Sequence, residues 1–123
     1  MANPNELLAT AVYGNNTFIF PTTTPTVIVN NPASSGKLVK VSCALVATDT
    51  IVGSAQITFS RYTEDDIGGT ELPIVKDLVV PYNGTVILVD TTSAIYLKED
   101  QSLGVYTTGN SEACVVASWE EII

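Results

Sequence analysis

The chain contains no histidine. That removes the commonest general base, the commonest neutral metal ligand and every Ser-His-Asp arrangement. It has two cysteines, Cys43 and Cys114. A structural zinc site needs about four N or S ligands, so these two cannot form one. They lie in alternating apolar segments with no imidazole to activate them, and they read as free buried thiols acting as small hydrophobes.

Basic residues are equally scarce. Lys37, Lys40, Arg61, Lys76 and Lys98 stand against 13 acidic residues, and the net charge is −8. Binding to nucleic acid needs clustered Lys and Arg to displace counterions from phosphates, and these five are dispersed. The same shortage argues against an anionic membrane. The longest apolar runs reach about half of the ~20 residues that a bilayer span requires. Met1–Asn5 is polar and lacks the basic start of a secretory signal. Synthesis in a cytosol is therefore expected, and the sequons Asn15-Asn16-Thr17 and Asn83-Gly84-Thr85 read as chance matches.

What the chain does have is β-forming sequence. Its 123 residues are 46% hydrophobic, the size and composition of one folded domain. Lys37–Thr48 alternates, with Val39, Val41, Cys43, Leu45 and Ala47 on one face and Lys40, Ser42, Ala44 and Thr48 on the other. Ala55, Ile57 and Phe59 alternate with Gln56, Thr58 and Ser60. A period of two marks strands with one buried face, so Val39, Val41, Cys43, Leu45, Ile57 and Phe59 are expected to point inward.

Further strands are predicted at Thr17–Phe20, Thr26–Val29, Ile74–Val80, Thr85–Val89, Ile95–Leu97, Leu103–Thr107 and Glu112–Ile122. Leu7–Tyr13 reads either as one helical face or as an edge strand. Turns are expected at Gly14-Asn15-Asn16, Asn30-Asn31-Pro32, Ala33–Gly36, Thr63–Gly69, Asn83-Gly84, Lys98–Gln101 and Gly109-Asn110. Eight or nine short strands with a turn signal about every ten residues predict an all-β, two-sheet antiparallel sandwich, immunoglobulin-like or jelly-roll-like. A single domain over residues 1–123 is expected, with a short N-terminal arm over about 1–8.

No constellation of catalytic residues emerges, and no cofactor or metal site is expected. Glu64-Asp65-Asp66 beside Gly68-Gly69 is the one dense acidic loop. It lacks the spacing of a calcium loop and reads as a solvated tip whose charges discourage edge pairing. Asp90, Glu99 and Asp100 lie near turns, with nothing to join two of them in a cleft. Tyr13, Tyr62, Tyr82, Tyr96, Tyr106 and Trp119 could stack on sugars, but their spread along the chain favours packing roles.

One stretch carries a family likeness. It runs Val79-Val80-Pro81-Tyr82-Asn83-Gly84, then the apolar strand Thr85–Val89, then Ile95-Tyr96-Leu97-Lys98-Glu99-Asp100-Gln101-Ser102-Leu103-Gly104-Val105, and ends Cys114–Ile122. This last third resembles small virion proteins of tailed bacteriophages, especially those of marine and cyanobacterial phages. The resemblance implies a non-enzymatic β-sandwich structural protein in the virion, a head-decoration (cement) protein or a tail or neck accessory. Its partner would be the major capsid protein or another virion protein. A homo-oligomer is expected, a trimer among the options. Met1–Leu8 and Pro21–Pro25 are the expected contact segments, since termini order on docking. A carbohydrate- or receptor-binding module on the same fold is the alternative.

Overall fold

The structure, a computed structural model, describes residues 11–48, 55–81, 83–108 and 113–123. Nine strands follow in chain order: β1 (Val12–Ile19), β2 (Thr26–Asn31), β3 (Leu38–Thr48), β4 (Ala55–Tyr62), β5 (Glu71–Val80), β6 (Thr85–Val89), β7 (Ile95–Leu97), β8 (Gln101–Thr107) and β9 (Ala113–Ile122). One sheet, sheet A, has the order β1-β9-β3-β6, with β7 also on β3; the other, sheet B, runs β2-β8-β4-β5. Every pairing is antiparallel.

The fold is an all-β sandwich, and its strand order decides between the two architectures the sequence allowed. Except for the β4–β5 hairpin and the β6–β7 pair, successive strands alternate between the sheets. That is the jelly-roll arrangement. β6 and β7 are one sheet position broken by a single 3₁₀ turn, Thr91–Ser93. Asp90 caps it: its Oδ1 accepts from Thr92 N and Ser93 N, each at 3.0 Å.

The core lies between the sheets and is built from β-branched and aromatic side chains. Val39, Val41 and Val46 from β3, Val115 from β9, Ile57 and Phe59 from β4 and Leu103 and Val105 from β8 are almost fully buried. Arg61 bridges the layers near one end, donating to Gln101 Oε1 at 2.7 Å on its own sheet and to the Tyr96 carbonyl at 3.1 Å on the other.

Two of the six residues expected to point inward do not. Val39, Val41, Ile57 and Phe59 are buried as predicted, but Cys43 and Leu45 are only half-buried while Ala44 and Val46 are fully buried. The register explains this. Val41 faces Trp119 and Cys43 faces Ser118, so β3 carries one extra residue at this bulge. A bulge reverses the alternation downstream of it. The Val-x-Val-x-Cys-x-Leu pattern is continuous, so it hides the reversal.

Gly14-Asn15-Asn16 is likewise not a turn. β1 passes straight through it, in unbroken register from Val12 opposite Ile122 to Ile19 opposite Val115. The Asn15 amide donates to Glu121 Oε2 at 2.7 Å. Turn propensity here loses to a long partner strand.

Asn31, read as part of a turn, ends β2 and is fully buried. The Asn83-Gly84 turn is present, with Asn83 at φ 52° and Gly84 N–H donating to the Pro81 carbonyl at 2.9 Å. Gly109-Asn110 and most of Leu7–Tyr13 lie outside the described residues.

Candidate interaction surface

The bulge in β3 decides what sheet A shows on its outer side. Beyond it, Cys43, Leu45 and Ala47 turn outward. Directly paired residues lie on the same face of a sheet, so the register reads off a complete row. Phe18 of β1 faces Val116 of β9, Val116 faces Leu45 of β3, and Leu45 faces Ile87 of β6. An apolar stripe therefore crosses all four strands.

The stripe is open to solvent at both ends. Phe18 is 65% exposed and Ile87 64%. Phe20, just beyond β1, is 67% exposed and meets the Phe18 ring edge to face, centroids 6.3 Å apart. The flanking rows are Asn16–Ser118–Cys43 on one side and Cys114–Ala47–Thr85 on the other. None of these residues is charged. Charge returns to this face only where Lys40 faces Glu120, with the Lys40 ammonium 5.8 Å from the centre of the Tyr96 ring. In a chain of net charge −8, so wide an uncharged area is selective.

The acidic loop serves the fold. Asp65 Oδ2 accepts from Ala33 N at 3.2 Å. The backbone amides of Asp65, Asp66 and Ile67 donate to Asp100 Oδ1 (3.0 Å), Asn30 Oδ1 (2.7 Å) and Ser102 Oγ (2.8 Å). Side chains of β2, β8 and the turn before β8 thus pin the loop. Asp66 and Ile67 take positive φ there. The loop also closes over Gly104, where a Cβ would stand 2.8 Å from Ile67 Cγ2. Among the described residues no group of three His, Cys, Asp or Glu side chains is placed to hold a metal ion. Of the carboxylates considered for hydrolysis, Asp90 caps its own 3₁₀ turn and Asp100 accepts from the Asp65 amide of the acidic loop.

The candidate aromatic platform separates into different surroundings. Tyr62 is buried, Trp119 packs against the core, and Tyr13 and Tyr96 are exposed on β1 and β7. Tyr82 lies outside the described residues. Tyr62 and Tyr106 have pKa values raised above 10.0. For Tyr62 the cause is burial first, then the charge of Glu71. For Tyr106 it is burial, then the hydrogen bond to Glu71 and its charge, opposed by a hydrogen bond from Thr58.

Unfolded tyrosine ionises near pH 10. The folded phenols hold their protons past that point, so the stability they confer is complete below about pH 10 and is lost as pH rises through the folded values. Melting temperature is expected to fall from about pH 10 upward, and to fall less in Tyr62→Phe/Tyr106→Phe. An equal decline in both proteins would assign the loss to general charge repulsion.

Both cysteines are free and half-buried. Cys43 faces Ser118, four positions along β9 from Cys114. That is about 13 Å at strand spacing, well beyond the ~7 Å a disulfide spans. Titration of the unfolded chain without reductant is expected to return both thiols. Fewer would reveal a bond between chains.

The class these features define is a jelly-roll protein with an uncharged apolar stripe across one outer sheet face. No protein-family model matches the sequence, and no curated protein does. Solved structures share the fold. A chain from Bacillus endospore appendages, described as a novel family of disulfide-linked pili, is 14% identical with a TM-score of 0.52, over 99% of this chain and 96% of that one. A chain of the acidic stable capsid of Helicobacter pylori bacteriophage KHP30 is 8% identical, also at 0.52, over 94% of this chain and 90% of that one. At such identities the likeness establishes the fold alone.

The sequence reading missed the apolar stripe. Its members come from four strands far apart in the chain, and simple alternation predicts one of them, Leu45, for the core. Pro21–Pro25, expected as a contact segment, is partly tied down: Pro21 is buried, and the Thr22 carbonyl accepts from Thr107 N at 2.9 Å. Met1–Leu8 lies outside the described residues.

Proposed function

We propose that this chain is a non-enzymatic structural subunit of a phage particle, attached to the capsid shell as a decoration or cement protein through the outer face of sheet A. The uncharged stripe Phe18–Val116–Leu45–Ile87 carries this reading. Phage capsid shells assemble from many protein copies, and an acidic subunit can join one only through a face where like charges do not oppose each other. Exposed apolar area of this kind marks interaction sites. The fold neighbours, a pilus chain and a phage-capsid chain, support an assembly role. The sequence resemblance to phage virion proteins supports a place in the virion. The partner is then the major capsid protein or a neighbouring virion protein.

A sugar-binding module is less well supported. Stacking needs rings that face one way, and the exposed Phe18 and Phe20 rings stand at 84° to each other. The test is mass spectrometry of purified particles, with copy number measured against the major capsid protein. A high, fixed ratio is expected. A few copies per particle would move the chain to the tail or neck, and its absence would overturn the virion reading.

A further inference from the structure

Each sheet of the sandwich ends on edge strands, and most are blocked. β5 carries Pro73, two register shifts and the charges of Lys76 and Asp77. β2 has a bulge between Val27 and Val29 and lies between Pro25 and Pro32. β6 has five residues and β7 three. Prolines, bulges, charges and short length are the devices that keep edges from pairing with other chains. β1 has none of them. It is eight residues long, without proline, charge or bulge, and in unbroken register with β9. Among the described residues its other edge has no partner strand.

We propose that a second copy of this chain adds to the free edge, β1 antiparallel to β1, so that sheet A continues through a two-fold axis. Such an isologous contact is the commonest way two identical chains associate. The exposed side chains fix a register. With Asn15 on the axis, Val12 (54% exposed) lies opposite the second copy's Phe18, and Tyr13 (57%) opposite its Thr17. Val12 and Phe18 are both outward-facing, so each pairing makes an apolar cross-strand contact. Charge favours the same edge. Two copies of net charge −8 repel, and β1 is a long edge with no charged residue of its own.

This inference deepens the proposed function by naming a partner. The two-fold axis stands perpendicular to the sheet, so both apolar stripes face the same way. A stable interface typically buries ~800 Å² per partner. Two stripes on one continuous sheet double the area of one and let the pair bind bivalently.

Sedimentation velocity over a range of protein concentrations tests the pairing. A monomer–dimer equilibrium is expected. Val12→Lys/Phe18→Lys should weaken it about tenfold or more by opposing lysines across the edge. That double change also reduces the overall negative charge, so general repulsion cannot explain a loss. Both side chains are mostly exposed, so folding should survive, and circular dichroism checks this. Asn15→Cys should form a cross-linked dimer under mild oxidant, in excess of any formed by the native chain, because strand neighbours lie within disulfide reach.

A monomer at every concentration, a closed trimer, or dimerisation unchanged by Val12→Lys/Phe18→Lys would overturn the pairing. So would the absence of an Asn15→Cys cross-link. These outcomes are independent of the virion reading. A monomer found on particles refutes the pairing alone, and a dimer absent from particles refutes the attachment alone.

Discussion

Replacing Asn31 with alanine is expected to destabilise the domain by about 2–4 kcal/mol, a large fraction of the whole for a domain this size. Asn31 is fully buried. Its Nδ2 donates to the carbonyls of Lys37 (3.0 Å) and Leu97 (2.9 Å), and its Oδ1 accepts from Ser35 Oγ at 2.6 Å. One side chain therefore ties β2 of one sheet to β7 of the other and to the loop between β2 and β3. Alanine removes all three bonds and takes from the buried Leu97 carbonyl its Asn31 partner. The adjacent Asn30 is the control. It is exposed and accepts one bond, from Asp66 N at 2.7 Å, so Asn30→Ala should cost about 1 kcal/mol or less. Urea unfolding of the two variants measures the difference. Equal costs would remove Asn31 from the connection between the sheets.

That pair of asparagines shows where sequence reading stops. Asn30-Asn31-Pro32 has turn composition, and nothing local separates an exposed asparagine from one that satisfies a buried carbonyl 66 residues away. The strands were legible because alternation is local: β6, β7 and the ends of β3 and β5 fall within a residue or so of their predicted places, apart from the N-terminal end of β5. β5 begins earlier, at Glu71, because an edge strand tolerates Pro73 on its free side. Two sheets were legible from strand number and turn spacing. The jelly-roll order was not, since long-range pairing leaves no local trace. The contact face was hidden twice over, by its assembly from distant strands and by the bulge that turns Leu45 outward.

Placing aspartate at Ile87 and Phe20 is expected to release the protein from particles while leaving it folded. These residues sit near the two ends of the outer stripe and are 64% and 67% exposed. Their side chains contribute little to the core, so melting temperature should stay nearly unchanged. In an apolar contact, each would bury surface worth about 1.5–3 kcal/mol. Losing both, and desolvating two carboxylates in their place, weakens attachment about a hundredfold or more. Ile87 lies on β6, across sheet A from β1, so Ile87→Asp alone should leave self-association in place and lets the two surfaces be scored separately. Salt supplies the companion measurement. In about 1 M salt the screening length is roughly 3 Å, which disables charge attraction between surfaces. Attachment through the stripe should survive such a wash. Release of the native protein by salt, with Ile87→Asp/Phe20→Asp still bound in low salt, would place the contact on the charged surfaces and remove the stripe from the mechanism.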